Sequence, residues 1–398
     1  MKFDHKRENA GFTLLELMIA MAVTLILLAA AVSTFRDASA SNQVVTQAAD
    51  MTENLRASLN LIEQDLQQAG TGIPVGGINI PYTSNGSTSS PCSTTAAINR
   101  PILGGKTTFP PCNSTLPAVE PGNTIGPGIT APDATTGTAA NPTSLTDEIT
   151  MLYADNTLGL DAKPINQPAT ATPPNPGCPA GSLKLSGTTL TVTFDSTCAN
   201  LTSGGYTVQA GDLILFTNTL GNAILAVTGV SGQTLTFASG DVFGLNGRTE
   251  TSGTIQQLET GGASCGGAAS CFAPTLATRV WMVSYYLDNI TSPPFVRLIR
   301  QINMPVGAAP NQTYPPTPVG ETMENLQFTY NFVDGVTNPS NQATVPVGNS
   351  ESQIRSVNVY LGARSSYKVM KGRQSLFARN NLMTQISLRS LSYVNRYQ

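Results

Sequence analysis

Gly11 and Glu16 are the residues whose types and spacing point most directly to chemistry. From Phe12 to Phe35 the chain is apolar apart from a few hydroxyls, and Glu16 is its single charge. A carboxylate at the centre of a membrane helix costs roughly 2.5–3.5 kcal/mol, so an acid in such a run is a functional candidate with a partner to be found. Glu16 lies near one end of the run, where a cation is easier to reach. Gly11 is a small residue placed before the apolar run rather than after it. A secretory signal peptide has a shorter apolar core followed by its cleavage site. A cut at Gly11 would instead remove the leader MKFDHKRENA and leave the apolar helix on the mature chain. Lys2, Lys6 and Arg7 favour a cytoplasmic leader, a bias that Asp4 and Glu8 weaken.

The rest of the chain offers little catalytic material. Its one histidine, His5, lies in the leader. Loss of the leader would remove Ser-His-Asp triads, Cys-His dyads and histidine-ligated metals together. No phosphate-binding glycine loop of Walker or dinucleotide type is present. Asp147-Glu148 reads as the start of a strand; its alternative use is calcium binding, but the D-x-[DN]-x-[DN]-G spacing is missing. The N-x-[ST] triplets at Asn85, Asn113, Asn200, Asn289 and Asn311 are what so Thr/Ser/Asn-rich a chain produces by composition. Trp281 and Tyr285 fall on one side of a strand and read as core, with a carbohydrate-stacking platform as the alternative. No enzyme, metal or cofactor is expected.

The six cysteines, Cys92, Cys112, Cys178, Cys198, Cys265 and Cys271, fall as three sequential pairs in loop-rich sequence. An even count in an exported chain favours disulfides but leaves the connectivity open. The expected pairs are Cys92–Cys112, Cys178–Cys198 and Cys265–Cys271, with roughly 2–4 kcal/mol from each closure. Charged residues make up only 11% of the 398 residues, against 36 Gly and 27 Pro, which suits an exported, loop-rich β protein. The net charge of −3 and the lack of a basic block leave no footprint for nucleic acid.

These residues need a scaffold. Phe12–Phe35 would span ~36 Å as a helix, enough to cross a bilayer. Val44, Ala48, Met51, Leu55, Leu59, Ile62, Leu66 and Ala69 continue it as an amphipathic stripe. Gly70-Thr71-Gly72 and Pro74 end it. The stripe is expected to cover the chain's own β domain, with a coiled-coil partner as its rival. Residues 73–147 read as long loops with at most an edge hairpin, and 239–277 as a second Gly-rich loop. Strands are expected at 148–154, 189–194, 212–217, 222–230, 234–238, 279–287, 296–303, 326–333, 354–363 and 385–394. Late basic residues, Arg300, Arg364, Lys368 and Arg379 among them, are expected on a solvated sheet face, with a polyanion patch as the alternative.

Gly11, Phe12, Thr13, Leu14, Leu15 and Glu16, followed by about twenty apolar residues, closely resemble the type IV prepilin signal position by position. The resemblance implies cleavage between Gly11 and Phe12 by a prepilin peptidase and N-methylation of Phe12. It also implies pairing of Glu16 with the Phe12 amine of a neighbouring subunit. The physics agrees, since a carboxylate in hydrocarbon needs a cation and a new N-terminus is one. More loosely, RASLNLIEQDLQQAG, AGDLILF with NAILAVTGV, VSYYLDN with FVRLIRQIN, MENLQFTYNF, IRSVNVYLGARS and FARNNL resemble PilW-family minor pilins. The loops at 73–147 and 239–277 do not share that likeness.

The expected architecture is α+β and pilin-like: a long N-terminal helix, half transmembrane and half amphipathic, on a mainly antiparallel β domain with disulfide-stapled loops. Residues 1–11 would be the leader, 12–35 the membrane or filament-core helix, 36–70 the amphipathic helix and 71–398 the exported domain. The implied partners are other pilins and minor pilins, the prepilin peptidase and the inner-membrane assembly platform. The implied location is the inner membrane through 12–35, domain outward, and then the pilus. The expected role is a minor pilin that primes or caps a type IV pilus. A type II secretion pseudopilin and a pilus-tip adhesin are the alternatives.

Overall fold

The computed structural model describes residues 13–81, 115–129, 144–161, 164–165, 182–186, 189–194, 201–203, 206–246, 253–261, 265–288, 295–303, 313–371 and 374–394. Helix α1 runs Leu14–Gln68. Its start is a capping box built on Thr13 and Glu16, which satisfies backbone donors that the first turn cannot use internally. Its end is set by Gly70, whose φ of 82° lies in the left-handed region that glycine enters without strain.

The chain then lays down β1 (Val119–Gly122) and β2 (Glu148–Asp155), which pair antiparallel. β3 (Ser182–Ser186) and β4 (Thr189–Thr193) form a hairpin. β5 (Leu213–Asn218) and β6 (Gly221–Ala226) form another. β7 (Gly229–Ser231) and β8 (Thr234–Phe237) join β4 and β3 in a four-stranded sheet of order β7-β8-β4-β3. β9 (Leu276–Asp288) is the spine of the largest sheet. β2 pairs along one edge of β9, while β5 and then β10 (Arg297–Ile302) follow one another along the other. β11 (Thr317–Gly320) extends that sheet beyond β10. β12 (Met323–Phe332), β13 (Ile354–Lys371) and β14 (Gln374–Ser387) make a three-stranded antiparallel sheet. A short helix α2 (Arg389–Val394) closes the described chain.

The fold is therefore α+β, with a long helix packed on an antiparallel β domain. Two apolar clusters hold it. The larger joins Met51, Leu55, Leu59, Ile62 and Leu66 of α1 to β2, β9 and the three-stranded sheet. The smaller fills the space between the four-stranded sheet and β5-β6, around Leu183, Val192, Phe216 and Phe237. Burying a Leu or Ile side chain fully stabilises by about 1.5–3 kcal/mol, and Leu55, Ile62 and Leu66 are all inaccessible. The stripe thus covers its own domain from Met51 onward rather than a partner helix. Ile62→Ala should lower unfolding free energy by about 2–5 kcal/mol in a denaturant titration of the detergent-solubilised protein. A loss within the ±0.5 kcal/mol usual for surface sites would show that Ile62 is not in the core.

Close backbone approach reinforces this packing. Ser58 Oγ donates to Val319 O at 3.1 Å and Asn54 Nδ2 to Glu321 O at 2.9 Å. Gly320 lies so near Ser58 that a Cβ at 320 would overlap the hydroxyl.

Several sequence expectations need correction. Residues 222–230 are not one strand. At Thr228 the chain leaves β5 and bonds instead to Thr236 O, so β6 and β7 belong to different sheets. Residues 385–394 divide into the end of β14 and helix α2. Parts of 73–147 are strands: Ile78–Asn79 pairs with Thr115–Leu116, β1 pairs with β2, and Gly128–Ile129 pairs with Ser144–Leu145. Among the described residues of 239–277, Ile255–Leu258 and Ala269–Cys271 are 3-10 helices.

Candidate functional site

The N-terminal half of α1 carries the candidate site. Every residue from Thr13 to Phe35 is exposed, with Leu14, Leu25, Ile26 and Phe35 the barest of its large side chains except Leu15. By length and composition this is the one helix among the described residues able to cross a membrane. Its hydroxyls are satisfied locally: Thr24 Oγ1 donates to Ala20 O at 2.7 Å, Ser33 Oγ to Ala30 O and Thr34 Oγ1 to Ala31 O, both at 2.9 Å. Such a surface asks only for apolar neighbours, which lipid or other helices supply.

Glu16 is the exception. Its Oε2 accepts from Thr13 N at 3.0 Å and from Thr13 Oγ1 at 3.1 Å, while Glu16 N donates to Thr13 Oγ1 at 3.3 Å. The carboxylate is folded onto its own helix start, where the helix dipole favours negative charge. These contacts are solvent-exposed. A cation arriving at that end can therefore take up Glu16 without dismantling a packed core. Gly11 and Phe12 lie outside the described residues.

A second arrangement fixes the helix to the domain. Asp65 sits within the apolar stripe, between Ile62 and Ala69, and is buried. Its carboxylate accepts from Arg300 Nε at 2.7 Å, Arg300 Nη2 at 3.0 Å, Tyr285 OH at 2.6 Å and Tyr153 OH at 3.3 Å. Arg300 and Tyr285 are cross-strand partners in β10 and β9. Burial pushes both tyrosine hydroxyls well above their ordinary range, and the Asp65 charge adds to it. Burial would lower the Arg300 guanidinium, but the Asp65 carboxylate outweighs it and holds the group charged. The bidentate Arg–carboxylate pair is directional as well as strong. It sets both the height and the rotation of α1 on the sheet. Asp65 was not singled out from the sequence. Its signal was a carboxylate on the stripe itself, three residues after Ile62 and four before Ala69.

Beyond β9 lies a polar cluster. Trp281 Nε1 donates to Asp155 Oδ2 at 3.0 Å, and the Arg279 guanidinium pairs with the same oxygen while lying 4.5 Å from the Trp281 ring centre. Tyr314 OH donates to buried Asp212, whose carboxyl burial pushes up. Burial also pushes the Asp155 carboxyl up, but bonds from Thr157 and Arg279 outweigh it and leave it below its ordinary value. Tyr285 is core, as expected. Trp281 is only half-buried and works as a hydrogen-bond donor.

The other candidates are placed as follows. Cys265 and Cys271 form a disulfide; Cys92, Cys112, Cys178 and Cys198 lie outside the described residues. Asp147 does open β2: its two oxygens accept from Thr124 N at 2.9 Å and Phe328 N at 2.8 Å. No group of three or more metal-binding side chains occurs among the described residues. Arg300 and Arg364 are not on a solvated face. Arg364 is 4% exposed and pairs with Glu324 at 3.6 Å.

The prokaryotic N-terminal methylation motif matches residues 6–32, covering Gly11, Phe12, Glu16 and most of the exposed half-helix. Comparison with curated proteins and with solved structures returns no match.

Proposed function

We propose that this type IV prepilin-like chain is a minor pilin that enters a type IV pilus through its N-terminal helix. The observation that carries the reading is a methylation motif lying on a wholly exposed apolar half-helix. The other half of that helix is bound to a folded domain. Such a division lets one helix be stored in a membrane and later inserted among like helices while the domain stays outside.

In this reading a prepilin peptidase cuts between Gly11 and Phe12, and the new Phe12 amine is methylated. Methylation leaves the amine basic, so it remains a cation. Glu16 exchanges its own Thr13 donors for the Phe12 amine of an adjacent subunit, which sets the axial register of the two helices. The assembly platform and other pilins are the partners. The bulk of residues 71–398 favours a minor, priming or capping place over one at every step of a thin filament.

The test is mass spectrometry of sheared surface filaments. An N-terminal peptide beginning at methylated Phe12 is expected there; processed protein confined to the membrane would sink the pilus assignment. Gly11→Leu should block leader removal by crowding the scissile bond, leaving the precursor mass intact. A chain that still begins at Phe12 in that variant would count against the peptidase reading.

A further inference from the structure

We propose that the open edge of β14 is a strand-addition site, which takes an extended segment of a different pilin-like subunit whose own helix stands parallel to α1. This rests on the reading of the chain as a filament subunit.

The three-stranded sheet ends on β12 at one edge and on β14 at the other. The β12 edge is capped by the chain itself. Leu326 O accepts from Asp147 N at 2.9 Å, and Phe328 N donates to Asp147 Oδ2 at 2.8 Å. Tyr330 exchanges both backbone bonds with Gln342, at 2.8 and 3.0 Å, and Phe332 N donates to Pro339 O at 2.8 Å.

The β14 edge is left open. Leu388 N donates to Arg355 O at 2.9 Å, and Ser387 stands opposite Ser356. Alternate residues of an antiparallel strand bond the same neighbour. Leu382, Thr384 and Ile386 therefore bond β13, while Met383, Gln385 and Ser387 turn their N–H and C=O groups away from it. At Asn381 the outward N–H is taken by Asn380 Oδ1 at 2.9 Å. The outward backbone groups of Met383, Gln385 and Ser387 have no partner among the described residues. Met383 is 69% exposed. Residues 380–387, NNLMTQIS, hold no charge and no proline, and their register on β13 is unbroken. Charge, proline and bulges are the usual protections of a sheet edge. Their absence along a row of open backbone groups suits an edge that receives a strand.

The direction of β14 selects the occupant. Asn380 Nδ2 donates to Thr52 Oγ1 at 3.3 Å, and Ser390, just past β14, meets Thr71 at 2.9 Å. β14 therefore runs in the same direction as α1. Twofold pairing of two copies through β14 is antiparallel, so it would point their α1 helices in opposite directions. Helices that enter one membrane or filament from the same end cannot pair in that way. A different subunit, with its helix parallel to α1, has no such conflict. From Phe35 to Thr52 the helix covers ~25 Å at ~1.5 Å per residue. The open edge thus stands clear of the apolar run, at the level of a neighbour's folded domain. Thr52 also lines a shallow hollow with Ala49, Arg56 and Asn60 on that flank of α1, which leaves room for side chains of an added strand. The partner segment should be extended and uncharged, with an apolar residue beside Met383 and amide or hydroxyl side chains beside Gln385 and Ser387.

The test places p-benzoylphenylalanine at Ser387 of the full-length protein, in cells that make its other filament subunits, and identifies the photo-adducts by mass spectrometry. The expected adduct is with a different chain that carries its own N-terminal methylation-type helix. The same probe at Val336, exposed in the segment that caps β12, should give about tenfold less of it. Met383→Pro should lower the Ser387 adduct about tenfold, because an edge strand tolerates the ring but loses an outward donor. Its Trp281 unfolding midpoint should match that of the parent. Met383→Lys keeps the backbone of β14 and should also lower the yield, by placing a charge on the edge; it carries the test if the proline variant does not fold. An unchanged yield in the lysine variant and in a folded proline variant overturns strand addition. So does an adduct with a second copy of this chain, or with a chain that has no such helix. No adduct from protein that is recovered in sheared filaments overturns the edge proposal and leaves the filament reading standing. No adduct and no protein in filaments overturns both.

Discussion

Glu16→Gln protein should be cleaved normally, remain in the membrane and be largely missing from filaments. The substitution separates two roles of one side chain. A glutamine retains an amide oxygen able to accept from Thr13, as the capping box allows either residue, so the helix start observed here survives. What it loses is the charge that would meet the Phe12 amine. A hydrogen bond to a charged group contributes about 1.5–3 kcal/mol, which is roughly 10- to 100-fold in subunit incorporation. Glu16→Ala should show the same defect, with the first helical turn weakened as well. Membrane retention should hold or improve in both, because an acid in hydrocarbon is unfavourable. The measurement is the ratio of tagged subunit in sheared filaments to that in membranes. Normal incorporation of the Gln variant would mean that Glu16 serves only as a cap.

Asp65→Ala should be among the most damaging substitutions in the domain. It leaves Arg300 in a mostly buried site with no counter-charge and removes the acceptor for Tyr285 and Tyr153. Breaking a buried ion pair from one side costs about 3–5 kcal/mol. The chain has a single tryptophan, Trp281, on β9, the strand that also carries Tyr285, so its fluorescence reports unfolding there. Asp65→Ala/Arg300→Met should be less destabilised than Asp65→Ala alone, because the stranded charge is gone. Equal instability of the single and double variants would place the loss in helix packing rather than in the ion pair. In a filament, the same joint would carry load between the buried helix and the domain.

The N-terminal site was legible because its chemistry is local. One carboxylate at a fixed distance from a small residue, at the head of an apolar run, needs no tertiary contact to be noticed. The stripe from Met51 to Ala69 was legible for the same reason, as a helical period written on consecutive turns. The long alternating strands β4, β9, β10 and β12 also showed themselves. β14 did not. Its sequence QSLFARNNLMT lacks alternation, and only pairing along β13 makes it a strand. β3 was missed because Ser-Leu-Lys-Leu-Ser is short and half polar. It is a strand because Leu183 and Leu185 enter the smaller core.

The division follows the range of the forces involved. Period, capping and the membrane-length run depend on neighbours within a few residues, so sequence alone determined the helix, its break at Gly70 and the Gly11–Phe12–Glu16 signal. Partner choice depends on groups brought together from far along the chain. Tertiary structure alone decided that residues 222–230 turn from one sheet to another. It alone decided that Arg300 leaves the solvated face to meet Asp65, because a buried carboxylate must be matched by whatever cation the fold can bring to it.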